Sequence, residues 1–153
     1  MCVLRVCGKK FDPAKYLASS TLKPYSVFLR GEIASRPKGA LHQLSGFKVD
    51  VSRRGGDDVA GQVDDAIRFL KKHRRTLGRL RSLAAVEDIR LDFPVDLRID
   101  RKHIFAQYDY FPPELVSLAG ALGCGLEMSV YPRDLLSLAK KASRKPTDRR
   151  KRR

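Results

Sequence analysis

The stretch FPPELVSLAGALGCGLEMSVYP, residues 111–132, constrains the fold more than any other part of the chain. Pro112 and Pro113 open a helix, because the first helical residues need no backbone N–H. Leu115, Leu118, Ala119 and Leu122 recur at helical spacing and mark its buried side. Gly123 closes it, as a residue free to adopt a positive φ. Leu126, Met128 and Val130 then alternate with polar neighbours, which predicts a final strand with those three facing inward. The segment demands a layered core and carries no chemistry of its own.

Upstream, Ile89, Leu91, Phe93, Val95, Leu97 and Ile99 alternate without a break against Asp88, Arg90, Asp92, Pro94, Asp96 and Arg98. With residues 100–103 as a loop, this run predicts a hairpin over 89–110. Ile99 then faces Ile104, Leu97 faces Ala106, Val95 faces Tyr108 and Phe93 faces Tyr110. In that register Tyr108 and Tyr110 belong to the core, while Phe105 and Phe111 lie on the other face. Pro94 cannot donate to a ladder, so an edge or a bulge is expected there.

The first half supplies the rest of the frame. Residues 2–7, 25–31 and 45–52 read as strands, the last with Phe47, Val49 and Val51 on one face. Asp12 and Pro13 start a short helix from which Tyr16 and Leu17 pack inward. A second helix starts at Asp57 as its N-cap and shows the stripe Val59, Val63, Ile67 and Leu70. Its acids come early and its bases late, matching the helix dipole. The stripe resumes through Leu77, Leu80 and Leu83, with Gly78 at a kink or a second short helix. The element order is β-α-β-β-α-β-β-α-β, whose first six elements read as a ferredoxin-like βαββαβ. The expected class is α+β: a largely antiparallel sheet with helices packed on one face, then a β-hairpin extension, a helix and a final strand. No internal repeat is visible.

The net charge of +15 is unevenly placed. Residues 140–153, KKASRKPTDRRKRR, hold nine Lys or Arg and one acid, so +8 belongs to them. The chain therefore divides into a single α+β domain over 1–139 and a disordered basic tail over 140–153. Attraction to nucleic acid follows from the tail's charge, with Arg144, Lys145, Arg149, Arg150, Lys151, Arg152 and Arg153 as the contacting residues.

Chemistry is sparse. Cys2, Cys7 and Cys124 are odd in number and share no metal-ligand spacing, which fits reduced thiols in a cytoplasm. The apolar run before Gly8 is too short for an export signal, and no stretch is long enough to span a membrane. His42, His73 and His103 are isolated, so no metal site is expected. The pairs Asp57-Asp58 and Asp64-Asp65 serve the start of their helix. Arg53-Arg54-Gly55-Gly56 lacks the pattern of a phosphate loop, and two carboxylates stand where phosphate would sit. No catalytic residue and no cofactor is expected; His42 and the 53–58 loop are the sole candidates for an activity.

LRVCGKKFDP near the start, Pro24 followed by Gly31-Glu32, and the closing L-x-x-L-x-x-x-L-G-x-x-L-x-x-x-x-Tyr from Leu115 to Tyr131 resemble a bacterial family catalogued as domain of unknown function 4279. The resemblance covers roughly residues 3–132. It implies a fold and a bacterial setting but no activity, substrate or catalytic residue. The expectation is a cytosolic bacterial interaction domain without a catalytic centre, an accessory or immunity-like protein that occupies a protein partner. The competing expectation is a nonspecific nucleic-acid-associated protein that uses the basic tail and the Arg/Lys side of the 57–75 helix.

Overall fold

The computed structural model describes residues 1–34, 39–100 and 103–132. In chain order they form β1 (Val3–Gly8), α1 (Pro13–Leu17), β2 (Ser26–Phe28), β3 (Ser45–Asp50), α2 (Val59–Lys72), α3 (Arg74–Arg81), β4 (Asp88–Leu97), α4 (Pro113–Ala121) and β5 (Gly125–Pro132). The strands build one five-stranded sheet in the order β2-β3-β1-β4-β5. Every neighbouring pair is antiparallel except β4–β5, which is parallel. The class is α+β, as the alternation and the helical stripes predict.

Period-two alternation gives the sheet one dry face and one charged face. Leu4 stands between Val49 and Leu91, and Val6 between Phe47 and Ile89. These residues, with Phe93 and Val95, are buried with the apolar sides of α2, α3 and α4 in one core. On the opposite face Arg5 stands between Lys48 and Arg90, and Val3 between Asp50 and Asp92. Arg90 bridges Asp88 at 2.7 Å and Glu127 at 3.1 Å, and Ser129 donates to Asp92 at 2.7 Å. Arg5 and Lys48, beside Arg90 on the same face, have no ion-pair partner among the described residues.

The helices begin and end where local chemistry dictates. Asp12 caps α1 by accepting from the Lys15 N–H at 3.0 Å. Tyr16 stacks on Phe47 with ring centres 5.9 Å apart and donates its hydroxyl to the Thr76 carbonyl. The cap of α2 is Asp58, one residue later than Asp57, and it accepts from the Gly61 N–H at 2.9 Å. The break after α2 falls at His73, and Gly78 lies inside α3 rather than at the kink. Gln62 is fully buried within the apolar stripe of α2 and donates to the carbonyls of Gly55 and Pro94. Gly123 has φ +66°, which ends the last helix as expected.

The predicted hairpin over 89–110 is not formed. A strand has two hydrogen-bonding edges, and those of β4 are taken by β1 and β5. Residues 98–100 and 103–112 instead belong to a connection held by side chains. Gln107 accepts from the Arg98 N–H at 2.8 Å and donates to the Asp96 carbonyl, while Arg98 meets Asp109 at 2.6 Å. The parity of the aromatics inverts as a result. Tyr108 and Tyr110 are 89% and 73% exposed, and Phe111 packs on Phe93 with ring centres 4.9 Å apart. Phe105 is exposed as well.

Pro94 needs neither an edge nor a bulge. The β1–β4 pairing ends at Val3–Asp92, so no β1 residue stands opposite the missing amide. The Pro94 carbonyl is taken by Gln62. Of the expected inward residues of β5, Leu126 packs on the core, whereas Met128 and Val130 stay 41% and 50% exposed beside the sheet's last strand. The predicted boundary between residues 139 and 140, and the tail beyond it, lie outside the described residues.

Candidate nucleic-acid interface

A cleft of about 690 Å³ opens where the chain leaves β3 and passes toward α2. Three short pieces of sequence wall it. Lys23, Pro24 and Tyr25 come from the segment before β2, Asp50 to Arg53 from the end of β3, and Asp65, Arg68, Phe69, Lys72 and His73 from α2 and its cap. The helical residues share one side because they recur at three- and four-residue intervals. The Tyr25 N–H donates to the Lys48 carbonyl at 3.0 Å, which ties the first wall to β3. The N–H groups of Val51 and Ser52 both donate to the Cys2 carbonyl, which fixes the floor.

The electrostatics are lopsided. Asp65 accepts from the Ser52 hydroxyl at 2.6 Å and also meets Arg68 and Arg54. These partners, the Ser52 hydroxyl foremost, hold its carboxyl below the usual range. Asp65 is thus engaged by groups already in place. Lys23, Arg53 and Lys72 are exposed and, among the described residues, have no ion-pair partner. His73 lies against Phe69 with ring centres 4.5 Å apart, and burial, reinforced by Lys72, pulls its pKa down. Arg74, Arg75 and Arg79 continue the exposed positive surface along α3.

Two features at the cleft are not explained by folding. Tyr25 is 53% exposed although it is a large aromatic residue. Partial burial raises its phenol pKa, with Asp50 and Asp92 adding to the effect. The Oδ1 of Asp50 is buried and, among the described residues, has no hydrogen-bond partner. A buried acceptor without a donor costs about 1–3 kcal/mol.

A second cleft, of about 440 Å³, has the opposite sign. Tyr108 and Tyr110 face Asp57, Asp58 and Asp64 there, with Asp109 tied to Arg98. Aromatic exposure alone would suit base stacking, but these carboxylates repel phosphate. Charge separates the two clefts where aromatic content does not.

No family model, no curated protein and no solved structure matches the chain.

The remaining sequence-predicted residues are placed as follows. Arg144, Lys145, Arg149, Arg150, Lys151, Arg152 and Arg153 lie outside the described residues. His42 stacks on Phe28 with ring centres 4.7 Å apart, in the loop that covers the far side of β2. His103 lies 3.3 Å from Asp100 on the surface. The three cysteines are buried free thiols, and burial pushes all of them up, Cys124 to about 11. Among the described residues no group of three His, Cys, Asp or Glu side chains could hold a metal ion, and no helix is long and apolar enough to cross a membrane.

The 53–58 loop has a structural explanation. The Gly56 carbonyl accepts from the Asp96 N–H at 2.9 Å, and a side chain on Gly56 would strike Asp96. Asp58 occupies the helix N-terminus and holds Arg54 at 2.8 Å. The sequence alone singles out Arg53 and the Arg/Lys side of the 57–75 helix, but not Tyr25 or Asp50. The run Lys23-Pro24-Tyr25, a cation beside a stiff residue and an aromatic one, was the available signal.

Proposed function

We propose that this protein is a binding module whose partner is nucleic acid, held by the Lys23–Arg53–Lys72 cleft together with the basic tail. The single observation that carries the proposal is the cleft's unpaired cations, gathered from three separated parts of the chain beside an exposed tyrosine. Surface cations scatter to keep apart, so their convergence on one concavity without acidic partners favours an anionic ligand. The tail adds affinity without reading sequence, because Lys and Arg that contact phosphates position the chain and carry no base information. No step of catalysis is assigned to the domain.

The proposed setting is a bacterial cytoplasm, and the proposed architecture is the ferredoxin-like βαββαβ with β5 added. The chain order β1-α1-β2-β3-α2-β4 and the neighbours β4-β1-β3-β2 support that architecture. The resemblance to domain of unknown function 4279 is carried forward as part of the same proposal.

A second reading, an accessory or immunity-like protein that occupies a protein partner, is favoured by the acidic cleft with Tyr108 and Tyr110. Exposed tyrosines beside carboxylates suit the basic residues of a protein surface. Purification of the tagged full chain from its host, with and without nuclease, separates the two. The nucleic-acid proposal predicts copurifying material absorbing at 260 nm that nuclease removes. A stoichiometric protein partner that survives nuclease would overturn it in favour of the second reading.

A further inference from the structure

We infer that the cleft takes an unstacked base, so that the folded domain prefers single-stranded nucleic acid, and a strand with amino-bearing bases over one without. The inference rests on the nucleic-acid reading of this cleft and adds what the ligand must be. Three observations converge on it. Tyr25 offers an exposed aromatic surface at one wall, and Phe69 with His73 supplies a second pair of rings at the other. Lys23, Arg53 and Lys72 stand around them, where a sugar–phosphate backbone would run. Asp50, from the end of β3, carries a buried oxygen with no donor among the described residues.

Each observation selects against an alternative. A cleft of about 690 Å³ falls within the roughly 300–1,000 Å³ of ordinary small-ligand sites. It admits a base but not a duplex, whose bases are stacked inside the helix. Aromatic rings add nothing to the capture of a plain polyanion, whereas stacking is what single-strand binders use them for. The Asp50 oxygen would repel phosphate, yet it accepts from the exocyclic amino group of cytosine as carboxylates do. The terminal torsion of aspartate is soft, so a ligand N–H at the wall can claim that oxygen. A base therefore satisfies the rings, the cations and the carboxylate together, and bare phosphate satisfies only the cations.

The test uses the full chain and end-labelled strands of about a dozen nucleotides, within the roughly 4–16 of single-strand sites. The strands are oligodeoxycytidine, oligodeoxythymidine, an abasic strand of the same length and a duplex. Binding is read by fluorescence anisotropy at one salt concentration. Wild type is expected to bind oligodeoxycytidine about tenfold tighter than the abasic strand, with oligodeoxythymidine between them. Tyr25→Leu should abolish the gap between base-bearing and abasic strands. Tyr25→Phe should keep it, since the ring is retained. Arg53→Ala with Lys72→Ala should weaken all strands together.

Equal affinity of wild type for base-bearing and abasic strands would overturn the inference. If the double variant still weakened binding in that case, the nucleic-acid reading of the cleft would stand by itself. If the double variant bound every strand like wild type, that reading would fail too. Survival of the gap in Tyr25→Leu would move the stacking surface elsewhere and would equally overturn the inference.

Discussion

His73 stands between two helices, and its surroundings set a sign for the pH dependence of stability. Burial, and then Lys72, hold its folded pKa below the ordinary value, which is about 6.5. Below that value the unfolded chain binds a proton that the folded chain resists, so stability falls as pH falls. Above it the contribution is flat. Asp58 and Asp65 are shifted down as well, by the Gly61 N–H and the Ser52 hydroxyl foremost. Their contribution is present above the unfolded carboxylate range and is lost only at more acidic pH, so the windows do not overlap. Urea midpoints measured between about pH 7.5 and pH 5.5 should decline, and His73→Gln should flatten that decline. An unchanged slope in His73→Gln would place the titration on another group.

Elements with a strong period were legible in the sequence, and elements that depended on a partner were not. The β4 alternation and the α2 stripe appear where Ile89 to Val95 and Val59 to Leu70 put them. The hairpin failed because alternation identifies a strand but not its neighbours; β5, which pairs Gly125 with Arg90 and Pro132 with Leu97, took the edge that 104–110 was expected to use. The cleft shared that difficulty, since Tyr25, Asp50 and Lys72 meet only through the β2–β3 pairing and the position of α2. Gln62 was hidden for another reason, because a polar residue in a stripe reveals a buried role only when Gly55 and Pro94 are seen beside it. The last helix permits a direct check. Leu115 is fully buried and Val116 is 49% exposed. Leu115→Ala should cost about 2–5 kcal/mol, and Val116→Ala well under that. Leu118, half-buried, should fall between them. Chemical denaturation giving Leu115→Ala the stability of wild type would contradict the packing of α4.

At the scale of the whole molecule, charge is distributed with a pattern that packing does not require. On the outer sheet face Arg90 is paired with Asp88 and Glu127, whereas the cleft leaves Lys23, Arg53 and Lys72 facing solvent. Among the described residues the hydrophobic core runs from Cys2 to Leu126, and +8 of the net charge belongs to residues 140–153, outside them. The proposed polyanion partner would unite the two, with the tail capturing and the cleft positioning. The two contributions differ in how they respond to salt only by the number of phosphates each neutralises.

The salt dependence of nucleic-acid binding by the full chain tests this most directly. If about half of the tail's nine cations contact phosphates of a single strand, the log–log slope of affinity against salt should be about −3 from the tail alone. Arg53 and Lys72 should each add about −0.7 to it. The slope of the full chain should therefore be steeper than about −3, and Arg53→Ala with Lys72→Ala should make it shallower by about 1.4. A double variant with the wild-type slope would contradict the account, because the folded domain would then contribute no phosphate contact and the cleft would not be the binding site.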